Sequence, residues 1–352
     1  MTLAFLLAAT LFSAGPPEAA LTPRTSILRI AVAGDTGKGT ETLAAAIARV
    51  HAEAPLDAIV LTGDNFYPCG VEAVDDPRWS LARPLTRIGI PIFPVLGNHD
   101  YCGKSVPEAQ IQATGVVPLW RFPARQYALR TPVADFAFLD TTPFVREIAG
   151  SSVDSMLYAT FASSRAPWRV VVGHHPVISS GWHGYFPRKE VAAMRDLIPA
   201  LRATRADLYI CGHDHHVELL RGQMLHLVSG AGSSPVPPIK LRTSTVFPQE
   251  IRRERIGFAV LEISARAIRV RIYDSKGKPR TSWISGRVRH EARSHRPVLF
   301  EDLDETDEDI IRPHADGPEP GDDVGVDRAL RRIGTAFIED DLDDEQIVGS
   351  LH

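Results

Sequence analysis

Five short clusters in this chain carry the side chains that could do chemistry. In order they are Gly34-Asp35-Thr36-Gly37, Gly63-Asp64-Asn65-Phe66-Tyr67, Gly97-Asn98-His99-Asp100, Gly173-His174-His175-Pro176 and Gly212-His213-Asp214-His215. Together they offer carboxylates, an amide, a phenol and imidazoles. These are hard oxygens plus nitrogen donors with no thiolate, a set that favours iron, manganese or zinc over soft metals. Any one cluster alone is weak evidence, because a Gly-Asp pair after a strand is most often a turn. Five in sequence, each after an apolar run, point to a shared metal site.

The elements that must position these groups follow from the hydrophobic pattern. Apolar runs at 27–33, 58–62, 92–96, 169–173 and 208–211 read as buried strands, and each ends at one of the clusters. Leu43, Ile47 and Val50 recur at helical spacing, as do Val191, Met194, Ile198 and Leu201. After residue 211 the pattern turns to strands at 224–229, 257–263 and 267–273. Strand–helix alternation followed by strands predicts packed sheets flanked by helices. In open α/β sheets, ligands bind at the C-terminal ends of strands. All five clusters are therefore expected on one rim.

The 352 residues are 44% hydrophobic and 23% charged, the composition of an ordinary globular protein. Three cysteines cannot supply a disulfide scaffold. The net charge of −4 hides an asymmetry. Residues 301–352 hold 18 Asp and Glu against 4 Arg, which leaves 25 acidic and 35 basic side chains in the first 300. A basic body could attract anions such as phosphate esters, or be a solvated surface of mixed sign. The uncharged run 3–14 has the length of a signal-peptide core and is too short to span a bilayer. We expect a leader over 1–22, a catalytic domain over 27–286 and an acidic, largely disordered tail over 287–352, with a short helix at 329–337. A secreted or periplasmic location without a stable membrane anchor follows. The basic stretch 252–255 lacks interleaved aromatics and predicts no nucleic-acid partner.

The five clusters, read in order, closely resemble the calcineurin-like metallophosphoesterases. Members usually place a histidine two residues after the first Asp, where this chain has Gly37. Tyr67, three residues after Asp64, then narrows the resemblance to the purple acid phosphatases. Gly70-Val71 and Asp76-Pro77-Arg78-Trp79 look most like the small, tartrate-resistant type. The resemblance covers roughly residues 28–273. It implies a four-layer α/β/β/α sandwich of two packed mixed sheets. It also implies one metal held by Asp35, Asp64, Tyr67 and His215, and a second held by Asp64, Asn98, His174 and His213. The first, more anionic set suits Fe(III), and the second suits divalent Fe, Zn or Mn. Two metals about 3.5–4 Å apart lower the pKa of a shared water from about 15.7 towards ~7, giving a hydroxide that attacks phosphorus. His99 and His183 are the implied catalytic residues, contacting the phosphoryl group and protonating the leaving alkoxide.

The implied activity is acid phosphatase action on small phosphate monoesters. Phosphodiesterase or nucleotidase activity on the same scaffold is the runner-up, and the sequence leaves oligomeric state open. A non-catalytic binding module and a redox role for an iron pair are weaker alternatives. Asp100 and Asp214 are expected to orient imidazoles. His175 and His216 are expected behind the ligands or at solvent, and His51 and His226 in structural roles. If the loops after Tyr67 and Asn98 converge and the chain is exported, Cys69 and Cys102 can form a disulfide. Cys211 is expected to be a buried thiol.

Overall fold

Apolar runs of this chain form strands that are buried on both faces. The computed structural model describes residues 15–37, 40–148, 153–185, 189–246 and 256–286. Its strands are β1 (Glu18–Ala20), β2 (Leu28–Ala33), β3 (Ala58–Leu61), β4 (Ile92–Pro94), β5 (Tyr127–Arg130), β6 (Ala134–Phe138), β7 (Trp168–Val172), β8 (Leu208–Cys211), β9 (Val217–Leu220), β10 (Leu225–Ser229), β11 (Gly257–Ile263), β12 (Ala267–Asp274) and β13 (Pro279–Gly286). They make two mixed sheets, ordered β1-β5-β6-β7-β8-β10-β9 and β13-β12-β11-β2-β3-β4. The parallel strands β2, β3 and β4 lie side by side in one sheet. The parallel strands β6, β7, β8 and β10 do so in the other.

The period of two explains the layers. Successive strand side chains point to opposite faces. On β7, Val170 and Val172 join the core between the sheets, while Val171 joins an outer core under helices. On β8, Leu208 and Ile210 face inward, and Tyr209 and Cys211 face the helices. Helices Val153–Ala162, Lys189–Asp196 and Ile198–Ala203 cover that outer face. Helix Thr40–Glu53 buries Leu43, Ile47 and Val50 in the main core. Each such side chain contributes about 1.5–3 kcal/mol when fully buried. This is the expected four-layer arrangement.

Two expectations change in detail. The helical periodicity from Val191 to Leu201 forms two helices, Lys189–Asp196 and Ile198–Ala203. Pro199 lies in the first turn of the second, a position it tolerates, and it cannot donate the backbone hydrogen bond that a continuous helix would need. At the N-terminus, Glu18–Ala20 pairs in parallel with β5, and Glu18 meets Arg130 at 2.7 Å. A leader ending at residue 22 would take this edge strand with it. The rest of the expected leader, the basic stretch 252–255, the acidic tail and its helix at 329–337 lie outside the described residues.

Candidate metal centre

The five clusters meet where β2, β3, β4, β7 and β8 end, so both sheets contribute. Three of the residues that follow these strands have left-handed backbone: Asp35 at φ 57°, Asp64 at φ 51° and His213 at φ 67°. Non-glycine residues adopt that region at a cost of about 1–3 kcal/mol, and such strain gathers at functional sites. The turn aims each side chain back across the strand ends.

Asp64 is the centre of the arrangement. Its Oδ2 atom lies 2.9 Å from the Tyr67 hydroxyl and 3.5 Å from His174 Nε2. On one side, the Tyr67 oxygen is 3.2 Å from both Asp35 Oδ1 and His215 Nε2. On the other, His174 Nε2 is 2.9 Å from Asn98 Oδ1 and 3.2 Å from His213 Nδ1. All seven expected ligands are thus together, in two pockets that share Asp64.

The imidazoles are oriented from behind. His174 Nδ1 donates to the Thr62 carbonyl at 2.8 Å, and His215 Nδ1 donates to the Ser234 carbonyl at 2.8 Å. With Nδ1 held by a carbonyl, each ring turns Nε2 to the pocket, as the nitrogen available to a cation. The carboxylates are held as well. Asp64 Oδ1 accepts from the His99 N–H, and Asp35 Oδ2 accepts from the His213 N–H.

This donor set fits cations. The Tyr67 hydroxyl has one hydrogen and faces two carboxylates and a ring nitrogen. Burial, then Asp64 and Asp35, push its phenol well above the ordinary value of 10. Only a strongly charged cation could make it a phenolate. Burial raises the Asp64 carboxyl, but His174, His99 and the Tyr67 hydroxyl outweigh that and hold it below its usual value. Burial and the surrounding imidazoles keep His213 well below 6.5 and therefore neutral. Burial alone would lower His215, yet the Asp35 carboxylate raises it to about 9. A cation there would displace that proton.

His99 and His183 border the pockets. His99 Nδ1 donates to the Pro68 carbonyl at 2.7 Å, and its ring lies 4.5 Å from the Tyr67 ring. The His183 ring lies 3.8 Å from that of His213. The loop carrying His183 is pinned on several sides. Asp214 accepts from the N–H groups of His183 and Gly184. Arg242 donates to the carbonyls of Ser179 and Gly184. Buried Glu218 accepts from Ser180 N and Oγ, Thr245 Oγ1 and His216 Nε2.

Asp214 and Asp100 were expected to orient imidazoles; the hydrogen bonds described for them go elsewhere. Both hold backbone. Asp100 accepts from the N–H groups of Asn65 and Gly97 and from Gln110 Nε2, tying the Asp64 loop to the Asn98 loop. The N–H groups of these tight turns have no ladder partner, so a buried carboxylate fills that need. His175 is buried against Thr141 Oγ1 at 2.8 Å. His51 and His226 are structural, at a helix end and within β10. Cys69 and Cys102 are bonded, joining the Tyr67 and Asn98 loops, and Cys211 is a buried free thiol. Among the described residues no helix is long and apolar enough to cross a membrane.

The profile of the calcineurin-like phosphoesterases matches residues 28–217. The chain belongs to that family. Membership makes this phosphoesterase a phosphoric ester hydrolase. It is 27% identical to purple acid phosphatase 4 of Arabidopsis thaliana over 289 residues, 73% of this chain and 83% of that protein. It is 29% identical to human tartrate-resistant acid phosphatase type 5 over 262 residues, 63% of this chain and 77% of that protein. Among solved structures it is similar to GAP50, the anchor in the inner membrane complex of Plasmodium. That match has a TM-score of 0.61 at 25% identity and covers 84% of this chain and 98% of the other. Relatives of the purple acid phosphatase type carry dinuclear metal centres, and the Asp and His groups here are able to hold metals.

Proposed function

We propose that this phosphoesterase is a binuclear acid phosphatase that hydrolyses small phosphate monoesters. The observation that carries the reading is the pair of donor pockets sharing Asp64 Oδ2, with His174 and His215 locked to carbonyls behind them. Asp35, Asp64, Tyr67 and His215 would hold Fe(III), and Asp64, Asn98, His174 and His213 would hold a divalent Fe, Zn or Mn. When bound, the two ions supply Lewis-acid charge to the phosphoryl oxygens and acidify the attacking water.

The chain's own groups do the rest. The His99 N–H holds Asp64 Oδ1, so the shared carboxylate keeps Oδ2 turned to both pockets. With Nδ1 committed to Pro68, the His99 ring directs Nε2 to the phosphoryl group. His183, held over His213 by its pinned loop, protonates the leaving alkoxide. Preorganised donors of this kind act without reorganising during the reaction. A non-catalytic module would have no need of all seven donors together with both histidines. The Cys69–Cys102 bond supports export to an oxidising compartment.

The test is to purify the protein aerobically, measure its metals, record the visible spectrum and assay mono- and diesters. Two ions per chain are expected, with a visible band that Tyr67→Phe abolishes and a preference for monoesters. A colourless protein holding stoichiometric zinc or manganese would remove the iron–phenolate assignment. A preference for diesters would move the reading to a phosphodiesterase.

A further inference from the structure

Beside His213 lies a carboxylate outside the five clusters. Glu190 is in the first turn of helix Lys189–Asp196, seven residues after His183. Its Oε2 atom is buried and has no hydrogen-bond partner among the described residues, and the same holds for His213 Nε2. These two atoms face each other at 3.6 Å. His183 Nδ1 lies 4.0 Å from the same carboxylate oxygen. One atom from each of the three residues falls within 4.8 Å of the others.

The two nitrogens of His213 have different surroundings. Nδ1 faces His174 Nε2 at 3.2 Å and belongs to the donor pocket. Nε2 points away from it, towards helix Lys189–Asp196. For Nδ1 to offer a lone pair, the hydrogen of the neutral ring must sit on Nε2. His174 and His215 solve the same problem with backbone carbonyls. Among the described residues no carbonyl does this for His213, and the acceptor nearest to its Nε2 that they offer is Glu190, at 3.6 Å.

We propose that Glu190 is a positioning residue of the metal centre. It accepts the Nε2–H of His213, selects the tautomer that ligates through Nδ1, and makes that imidazole a more basic ligand. The inference rests on the reading of His213 as a metal ligand. At 3.6 Å the contact is longer than a hydrogen bond, which needs about 3.2 Å or less. The Glu190 side chain is 36% exposed and at the edge of the site. A rotation about its own torsions closes the gap when a cation draws His213 Nδ1 into the pocket. The competing role for Glu190 is local, since a carboxylate in the first turn of a helix complements the helix dipole. That role would affect the folding of the metal-free chain and leave metal affinity alone.

The experiment measures zinc retention by the full chain against a graded series of chelator concentrations. It compares wild type, Glu190→Gln, Glu190→Ala and, as a control, His174→Ala, together with the thermal midpoints of the metal-free proteins. Glu190→Ala is expected to lose one of two ions about 10–100-fold more readily than wild type. Glu190→Gln, which keeps an accepting oxygen without the charge, should fall between them. The metal-free midpoints of the two Glu190 variants should match wild type. If Glu190→Ala keeps both ions with wild-type affinity, the inference is overturned and the binuclear reading stands. The inference is likewise overturned if the only change is a lower metal-free midpoint. If wild type binds no zinc, or His174→Ala keeps both ions, the binuclear reading fails and takes the inference with it.

Discussion

Gly37 and Tyr67 occupy one space. A Cβ built on Gly37 would lie 2.5 Å from Cδ2 of the Tyr67 ring and 2.2 Å from the Tyr67 backbone nitrogen. No rotamer relieves a clash with backbone. With the backbone of Phe66 and Tyr67 and the Tyr67 ring packed against it, position 37 has no room for a side chain and must be glycine. Gly37→Ala should weaken metal binding in the pocket of Asp35, Tyr67 and His215 and destabilise the fold by about 1–3 kcal/mol, the usual cost of overpacking. Metal analysis and urea unfolding of the variant check both. Unchanged metal content and stability would mean the two loops move apart freely.

His99 and His183 should separate by leaving group. Replacing either with Ala should reduce kcat by about 10²–10⁴. An alkoxide needs a proton more than a nitrophenolate does, so the residue that donates it matters most for alkyl phosphates. His183→Ala should therefore lose more activity on an alkyl than on an aryl ester, while His99→Ala should lose similar factors on both. Steady-state rates on matched ester pairs decide it, and the reverse pattern would exchange the two roles.

Glu218 should be needed for both stability and rate. Burial raises its carboxyl, but the His216 hydrogen bond, then Thr245 and Ser180, outweigh that and hold it below its ordinary value. Glu218→Ala strands His216, Thr245 and Ser180 in the interior. A buried polar group left without its partner costs about 1–3 kcal/mol. Because Ser180 belongs to the loop carrying His183, kcat should fall while the metals stay bound. A variant with normal unfolding and normal kcat would count against this network as the support of the loop.

His226 should make stability depend on pH. It is buried in β10, and burial lowers it from 6.5 to about 4. Between those values the unfolded chain binds a proton that the folded chain excludes. Stability is therefore full above about 6.5 and falls as the pH drops towards 4, by up to about 3 kcal/mol. His226→Leu should remove this share of the slope. Unfolding measured at several pH values in wild type and variant gives the difference, and parallel curves would contradict it.

Much of the site was legible because its clusters sit directly after apolar runs. A strand written as a run such as Arg169–Val172 has to be buried, and the polar residues behind it have to leave the sheet at one edge. The Cys69–Cys102 bond was within reach for the same reason, since both cysteines flank those loops. Glu190, Glu218, Ser234 and Thr141 were not legible. Each acts through an atom whose partner lies far along the chain, and nothing in its local spacing separates it from an ordinary surface or turn residue. Asp100 and Asp214 neighbour histidines in the chain, which makes them look like partners of imidazoles. Their carboxylates turn instead to the backbone amides that tight turns leave unpaired.

The sequence by itself determined the kind of donors, their order and the strands that carry them, because residue type and period two are local properties. It also contained the glycine at position 37, where a histidine is usual, and the tyrosine three residues beyond Asp64. Tertiary structure alone decided that Asp64 Oδ2 is the shared oxygen, which nitrogen of each histidine faces the pocket, and which carboxylates brace the loops. Those outcomes depend on how two sheets pack face to face, and an angle between sheets is written in no single stretch of chain.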